Sequence, residues 1–203
     1  MISTSSLHYQ AKSIKQMWQI LATCLVFLIM VTMSFVANST EFSINAHQGD
    51  ESDIKGFSFH VADKFSKKNN FYWQIGYSNY QDLSVEWNKD KLFFDISNVE
   101  AIVSYRHKLK SYNKFINNLT LEYQLGVAVV MTENKFNWPE LNEEKFFSEK
   151  GDINPLMGVA LHYNFSRNNA FVFGVKYQPE VSEFGDMSSF YIGFIHRFNQ
   201  RGY

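Results

Sequence analysis

Cysteine is almost missing from this 203-residue chain, and its single copy, Cys24, lies inside an N-terminal apolar run. Thr23 precedes it and more apolar sequence follows, a setting that does not suit lipid attachment to a cysteine. Beyond that run the chain has no cysteine, which excludes disulfides and thiol chemistry. Charge is sparse at 19% of residues, and no acid occurs before Glu41. After residue 40 no apolar stretch approaches the roughly 18 residues that a membrane helix needs. A positive surplus is missing as well. Without Lys12 and Lys15, the 19 basic residues fall to 17 against 20 acids, a net charge of −3. That balance argues against a nucleic-acid partner, which calls for a basic face. No internal repeat or low-complexity tract breaks the chain.

What is present begins with the first 39 residues. Lys12 and Lys15 precede an apolar run from Met17 to Ala37, which ends in the small-x-small triplet Ala37-Asn38-Ser39. This order is that of an export signal, expected to be cleaved after Ser39. An uncleaved membrane helix is the competing reading, since about 20 apolar residues can span a bilayer. The expected organisation is a signal peptide over 1–39 and one domain over 40–203.

Aromatic residues are plentiful at 17%, and behind the signal they recur at every second position. Leu119, Leu121, Tyr123, Leu125, Val127 and Val129 alternate with Thr120, Glu122, Gln124, Gly126, Ala128 and Val130. Phe171, Phe173, Val175 and Tyr177 alternate with Val172, Gly174, Lys176 and Gln178. Similar segments start near Phe42, Phe57, Phe71, Val99, Met157 and Phe190, making eight in all. Such period-two patterning predicts strands with two unlike faces. In a soluble sandwich the polar face would carry long charged side chains into water. Here it is rich in Gly, Ala, Ser, Asn and Gln, and Gly76, Gly126, Gly158, Gly174 and Gly193 all fall on it. Small residues suit the concave side of a narrow closed sheet. The expected fold class is all-β: an eight-stranded, antiparallel, up-and-down transmembrane β-barrel.

The links between segments alternate in length. Ser66–Asn70, Ser111–Asn117 and Ser166–Asn169 are short and flanked by lysine and arginine. His47–Asp53, the turn around Asn88–Lys91, Thr132–Asp152 and Pro179–Met187 are longer, and several of them are acidic. Short turns on the periplasmic side and long loops outside are the asymmetry of bacterial outer-membrane barrels.

The last segment, Phe190-Tyr191-Ile192-Gly193-Phe194-Ile195-His196-Arg197-Phe198, resembles the C-terminal assembly signal of outer-membrane proteins. Phe190, Ile192, Phe194 and Phe198 would carry it. His196 departs from the usual apolar pattern, and Asn199–Tyr203 follow the terminal aromatic. With the export signal and the loop asymmetry, the chain resembles the small OmpA/OmpX-type barrel class. The resemblance implies residence in the outer membrane of a Gram-negative bacterium, contact with lipid and lipopolysaccharide, and insertion by the outer-membrane assembly machinery. A second likeness lies in Asp82–Ile96, where Leu83, Val85 and Trp87 lead into Asn88-Lys89-Asp90-Lys91, and Leu92 and Phe94 lead back. It resembles the protruding hairpin of OmpX-like proteins and implies a surface able to meet a host or cell-surface ligand.

Candidate chemistry is thin. Glu100, Arg106, Glu122, Lys176 and Arg197 all read as inward, and unpaired charge in such an interior is costly. They therefore read as a paired plug. Arg106 and Glu122 lie equally far from the middle of Ser111–Asn117, which places them opposite one another, and His162 falls at a comparable height on the next strand. His60 and His162 read as lumen hydrogen-bonding groups, His107 and His196 as interfacial. No histidine is spaced with Cys, Asp or Glu as a metal site requires, so neither metal nor cofactor is expected. Resemblance to a lipid A deacylase would need a His-x-Ser pair, but His162 is followed by Tyr163 and Asn164. The expected role is non-enzymatic: envelope structure, surface interaction or adhesion and colonisation through the external loops. A narrow conduit for small apolar molecules, as in OmpW-like barrels, is the alternative, and a lipid A-modifying enzyme the second alternative.

Overall fold

The computed structural model describes residues 40–50, 54–66, 68–87, 90–138, 143–181 and 185–198. The expected signal segment and the tail after Phe198 lie outside the described residues. Alternation of the kind described above leaves each strand one apolar and one mixed face, and only a closed sheet can segregate both without leaving an edge. Eight antiparallel strands do close: β1 (Glu41–Gly49), β2 (Lys55–Lys64), β3 (Phe71–Trp87), β4 (Asp90–Lys108), β5 (Leu119–Val130), β8 (Ile153–Asn164), β9 (Asn169–Val181) and β10 (Gly185–Arg197). Closure is made by β1 against β10, with Glu41 opposite Arg197 and Gly49 opposite Ser189. Two further strands, β6 (Asn134–Trp138) and β7 (Glu143–Ser148), form their own sheet inside the link from β5 to β8.

The faces are inverted relative to a soluble protein. Leu125 is 66% exposed and Phe190 64%, while Glu100 is fully buried and Lys176 only 2% exposed. The outward belt includes Phe42, Phe57, Phe71, Ile75, Phe171 and Ile192. In water each such side chain would forgo about 1.5–3 kcal/mol of burial. Lipid is the environment that recovers it.

Small inward residues make room for large ones. A side chain on Gly174 would collide with the Tyr191 ring, and one on Gly76 with the His60 ring. Both glycines sit where the lumen is already filled from a neighbouring strand.

Links differ from expectation in two places. Strand pairing extends β1 to Gly49 and β9 to Val181, so the expected long link Pro179–Met187 shrinks to 182–184. The Ser111–Asn117 link holds a single helical turn, α1 (Lys114–Asn117), capped by Asn113, whose side chain accepts from Phe115 N at 2.8 Å. β3 and β4 are the longest strands, at 17 and 19 residues, and run past their barrel neighbours as a two-stranded ribbon. One extra residue enters β3 between Tyr80 and Leu83, where Asp82 takes a left-handed φ of 61°.

Candidate functional site: a filled and capped lumen

Inward positions on the strands near the short turns carry the first layer of charge. The register sets Arg106 opposite Glu122. Arg106 Nε donates to Glu122 Oε1 at 3.1 Å, and its Nη1 donates to Glu41 Oε2. The guanidinium also lies over the Tyr72 ring, 4.0 Å from its centroid. Glu122 receives Gln74 Nε2 on Oε1, and His162 Nε2 lies 2.5 Å from its Oε2. Arg197 Nε donates to Glu41 Oε1 at 2.7 Å and its Nη1 to Asn164 Oδ1 at 2.6 Å. Glu41 thus stands between two guanidiniums and Glu122 between a guanidinium and an imidazole, which is how buried charge becomes tolerable.

A second layer lies farther from the short turns. Lys176 Nζ donates to both Glu100 oxygens, at 3.1 and 2.8 Å. His60 Nε2 lies 2.7 Å from Glu100 Oε2, and Ser78 Oγ donates to Oε1 at 2.6 Å. Between the layers Tyr191, Gln124, Asn45 and His47 fill the bore. The space left there is about 20 Å³, room for about one water. Above the second layer Asn98 and Gln178 are fully buried, with side-chain nitrogen and oxygen atoms that meet no partner among the described residues.

The long-loop end is closed by apolar side chains. Ile54, Leu83, Ile96, Val130, Val181 and Met187 pack into one cluster, each at most 1% exposed, with Phe94 against it. Leu83 and Phe94, read from the sequence as residues of the protruding hairpin, pack into this cap at the foot of the ribbon. The extra residue at Asp82 turns Leu83 toward the cluster. Leu92 is half-buried on the ribbon, and the side chains of Val85 and Trp87 lie outside the described residues.

All six expected lumen residues, Glu100, Arg106, Glu122, His162, Lys176 and Arg197, occupy the two layers. Glu41 lies one position before Phe42, where the outward apolar alternation of the first segment begins, and continues its inward face. Phe190, Ile192 and Phe194 of the final strand and Phe198 just after it face outward, and Phe198 N donates to Thr40 O at 2.9 Å, so the residue after β10 meets the one before β1. His196 lies on this outer side, its ring edge against Phe198 and its Nδ1 2.8 Å from Asn169 Oδ1. Among the described residues no group of three His, Cys, Asp or Glu could hold a metal ion.

No protein-family model matches the chain, and no curated protein matches it. Among solved structures it is similar to Ail, the attachment invasion locus protein of Yersinia pestis, at 16% identity and a TM-score of 0.49, over 80% of this chain and 100% of that one. It is also similar to the N-terminal β-barrel domain of Pseudomonas aeruginosa OprF, at 17% identity and a TM-score of 0.46, over 78% of this chain and 97% of that one. Neisserial surface protein A is similar at 13% identity and a TM-score of 0.46, over 79% of this chain and 95% of that one. Closure without an edge, an apolar outer belt and an internally bonded polar interior are what a bilayer requires of a β-protein. The chain is a closed eight-stranded antiparallel β-barrel with the segregated faces that a bilayer requires.

Proposed function

We propose that this outer-membrane protein works as a non-enzymatic, sealed scaffold that holds its long-loop end at the cell surface for adhesion or colonisation. One observation carries the reading: two β-ribbons are braced against each other at that end. Asn134, at the base of the β6–β7 sheet, donates through Nδ2 to Asp95 O of β4 and to Ser148 Oγ, both at 2.8 Å. Thr132 Oγ1 accepts from Ser97 N at 3.2 Å. Ordered external structure on a rigid barrel is the usual platform for recognition. The ligand class is a host or cell-surface molecule, with lipopolysaccharide surrounding the ribbons.

The lumen supports this reading over the conduit. Its bore is filled by paired charge and closed by the apolar cap, so the described residues leave neither a polar nor an apolar solute a path along the axis. Under the same reading, residues 1–39 are the export signal, the assembly machinery recognises the final strand, and the six lumen residues act as a structural plug.

The test is adherence of bacteria expressing the protein, compared with cells in which residues 82–95 are replaced by a short glycine-containing turn. Loss of adherence with normal heat-modifiable gel migration supports the scaffold. Unitary conductance in planar bilayers would instead favour the conduit, and a lipid A mass change that depends on the protein would favour the enzyme.

A further inference from the structure

Among the described residues, nothing apolar caps the opposite end of the barrel. A polar vestibule of about 640 Å³ lies at the short-turn mouth, a volume within the range of small-molecule sites. Its lining includes five cations, Lys64, Arg106, Lys108, Arg167 and Arg197, against one acid, Glu41. Both oxygens of that acid are already held, by Arg106 and by Arg197. Arg106 is further matched by Glu122 at the vestibule floor. Lys64, Lys108 and Arg167 have no carboxylate beside them in the lining. A concave wall of one sign, backed by low-dielectric protein, concentrates counter-ions far better than the same charges on a convex surface.

We infer that this vestibule binds a water-borne phosphate ester of a small polar molecule. Lysine and arginine donors suit a phosphate dianion. Thr120 and Asn118 on the wall add groups able to meet a polar remainder, and the volume exceeds what a bare phosphate needs. The source of the phosphate follows from the side of the wall. Glu41, Tyr72, Arg106, Thr120, Asn164 and Arg197 occupy inward positions of their strands, whereas acyl chains lie against the outward belt. A lipid headgroup would have to fold back over the rim, while a solute enters along the axis. This site is independent of the adhesion reading, which concerns the other end.

The probe is glucose 6-phosphate, titrated calorimetrically against the full-length protein as exported, in phosphatidylcholine nanodiscs, with glucose as the neutral comparison. Glucose 6-phosphate should bind at least about tenfold more tightly than glucose, and weaken as salt rises. The exposed-rim double variant Lys108→Gln, Arg167→Gln should weaken binding about tenfold. Lys150→Gln, at the long-loop end, should leave it unchanged. Equal binding of the two sugars, no binding at all, or indifference to the rim variant overturns the site. Displacement of the sugar phosphate by phosphatidylglycerol placed in the disc overturns the water-borne source and assigns the cations to lipid headgroups.

Discussion

Lys176 and Glu100 meet across the lumen, with Nζ 2.8 Å from Oε2, although 76 positions separate them in the chain. Neither residue belongs to a strand that neighbours the other's, so their contact exists only when the barrel is closed. Lys176→Met should therefore cost about 3–5 kcal/mol, the usual loss when one partner of a buried pair is removed. The double variant Lys176→Met, Glu100→Gln should recover much of it. Urea unfolding in lipid vesicles measures both, and additive losses would contradict the pairing.

Glu122 is held by Arg106, His162 and Gln74, more partners than the first-layer carboxylate Glu41 has among the described contacts. Glu122→Gln should lower the unfolding midpoint far more than Glu149→Gln at an exposed position. Equal midpoints would mean that the first layer does not hold the interior together.

The cap can be tested with a chemical reporter, because no cysteine follows Cys24. Asn98→Cys places a thiol at a fully buried position beneath the cap. On intact cells a membrane-impermeant maleimide should leave it unlabelled. Adding Leu83→Ala and Ile96→Ala should expose it, and prompt labelling without those changes would show that the cap does not seal.

Export and insertion give a fourth test. Protein recovered from outer-membrane fractions should begin at Thr40. Phe198→Ala should slow insertion, read as a loss of the heat-modifiable gel form, while deletion of Asn199–Tyr203 should be mild. The reverse pattern would place the assembly signal elsewhere.

The legible part of this fold was the part fixed by short-range periodicity. Alternation located all eight barrel strands, and the compact link before Leu119 set the register that places Arg106 against Glu122. Contacts that depend on closure were not legible. His60 reads as inward, but nothing along the chain says that Glu100 from two strands away will reach it. The cap was hidden for another reason. Val181 and Met187 fall in a stretch read as a loop, and Ile54 between a loop and the segment starting near Phe57, because pairing that overruns the apolar belt leaves no lipid-facing pattern to detect. Glu41 was lost to a boundary placed one residue late.

The added residue at Asp82 has an evolutionary consequence. A strand exchanges its two faces whenever its register slips by one position. Here the slip is absorbed: Tyr80 pairs with Ile96 and Leu83 with Phe94, so deleting the single extra residue would restore plain alternation with Leu83 still inside, while the barrel ladder from Phe71 to Tyr80 kept its pairing. One codon could thus be gained or lost at the foot of the ribbon without turning over its faces or rebuilding the barrel beneath it.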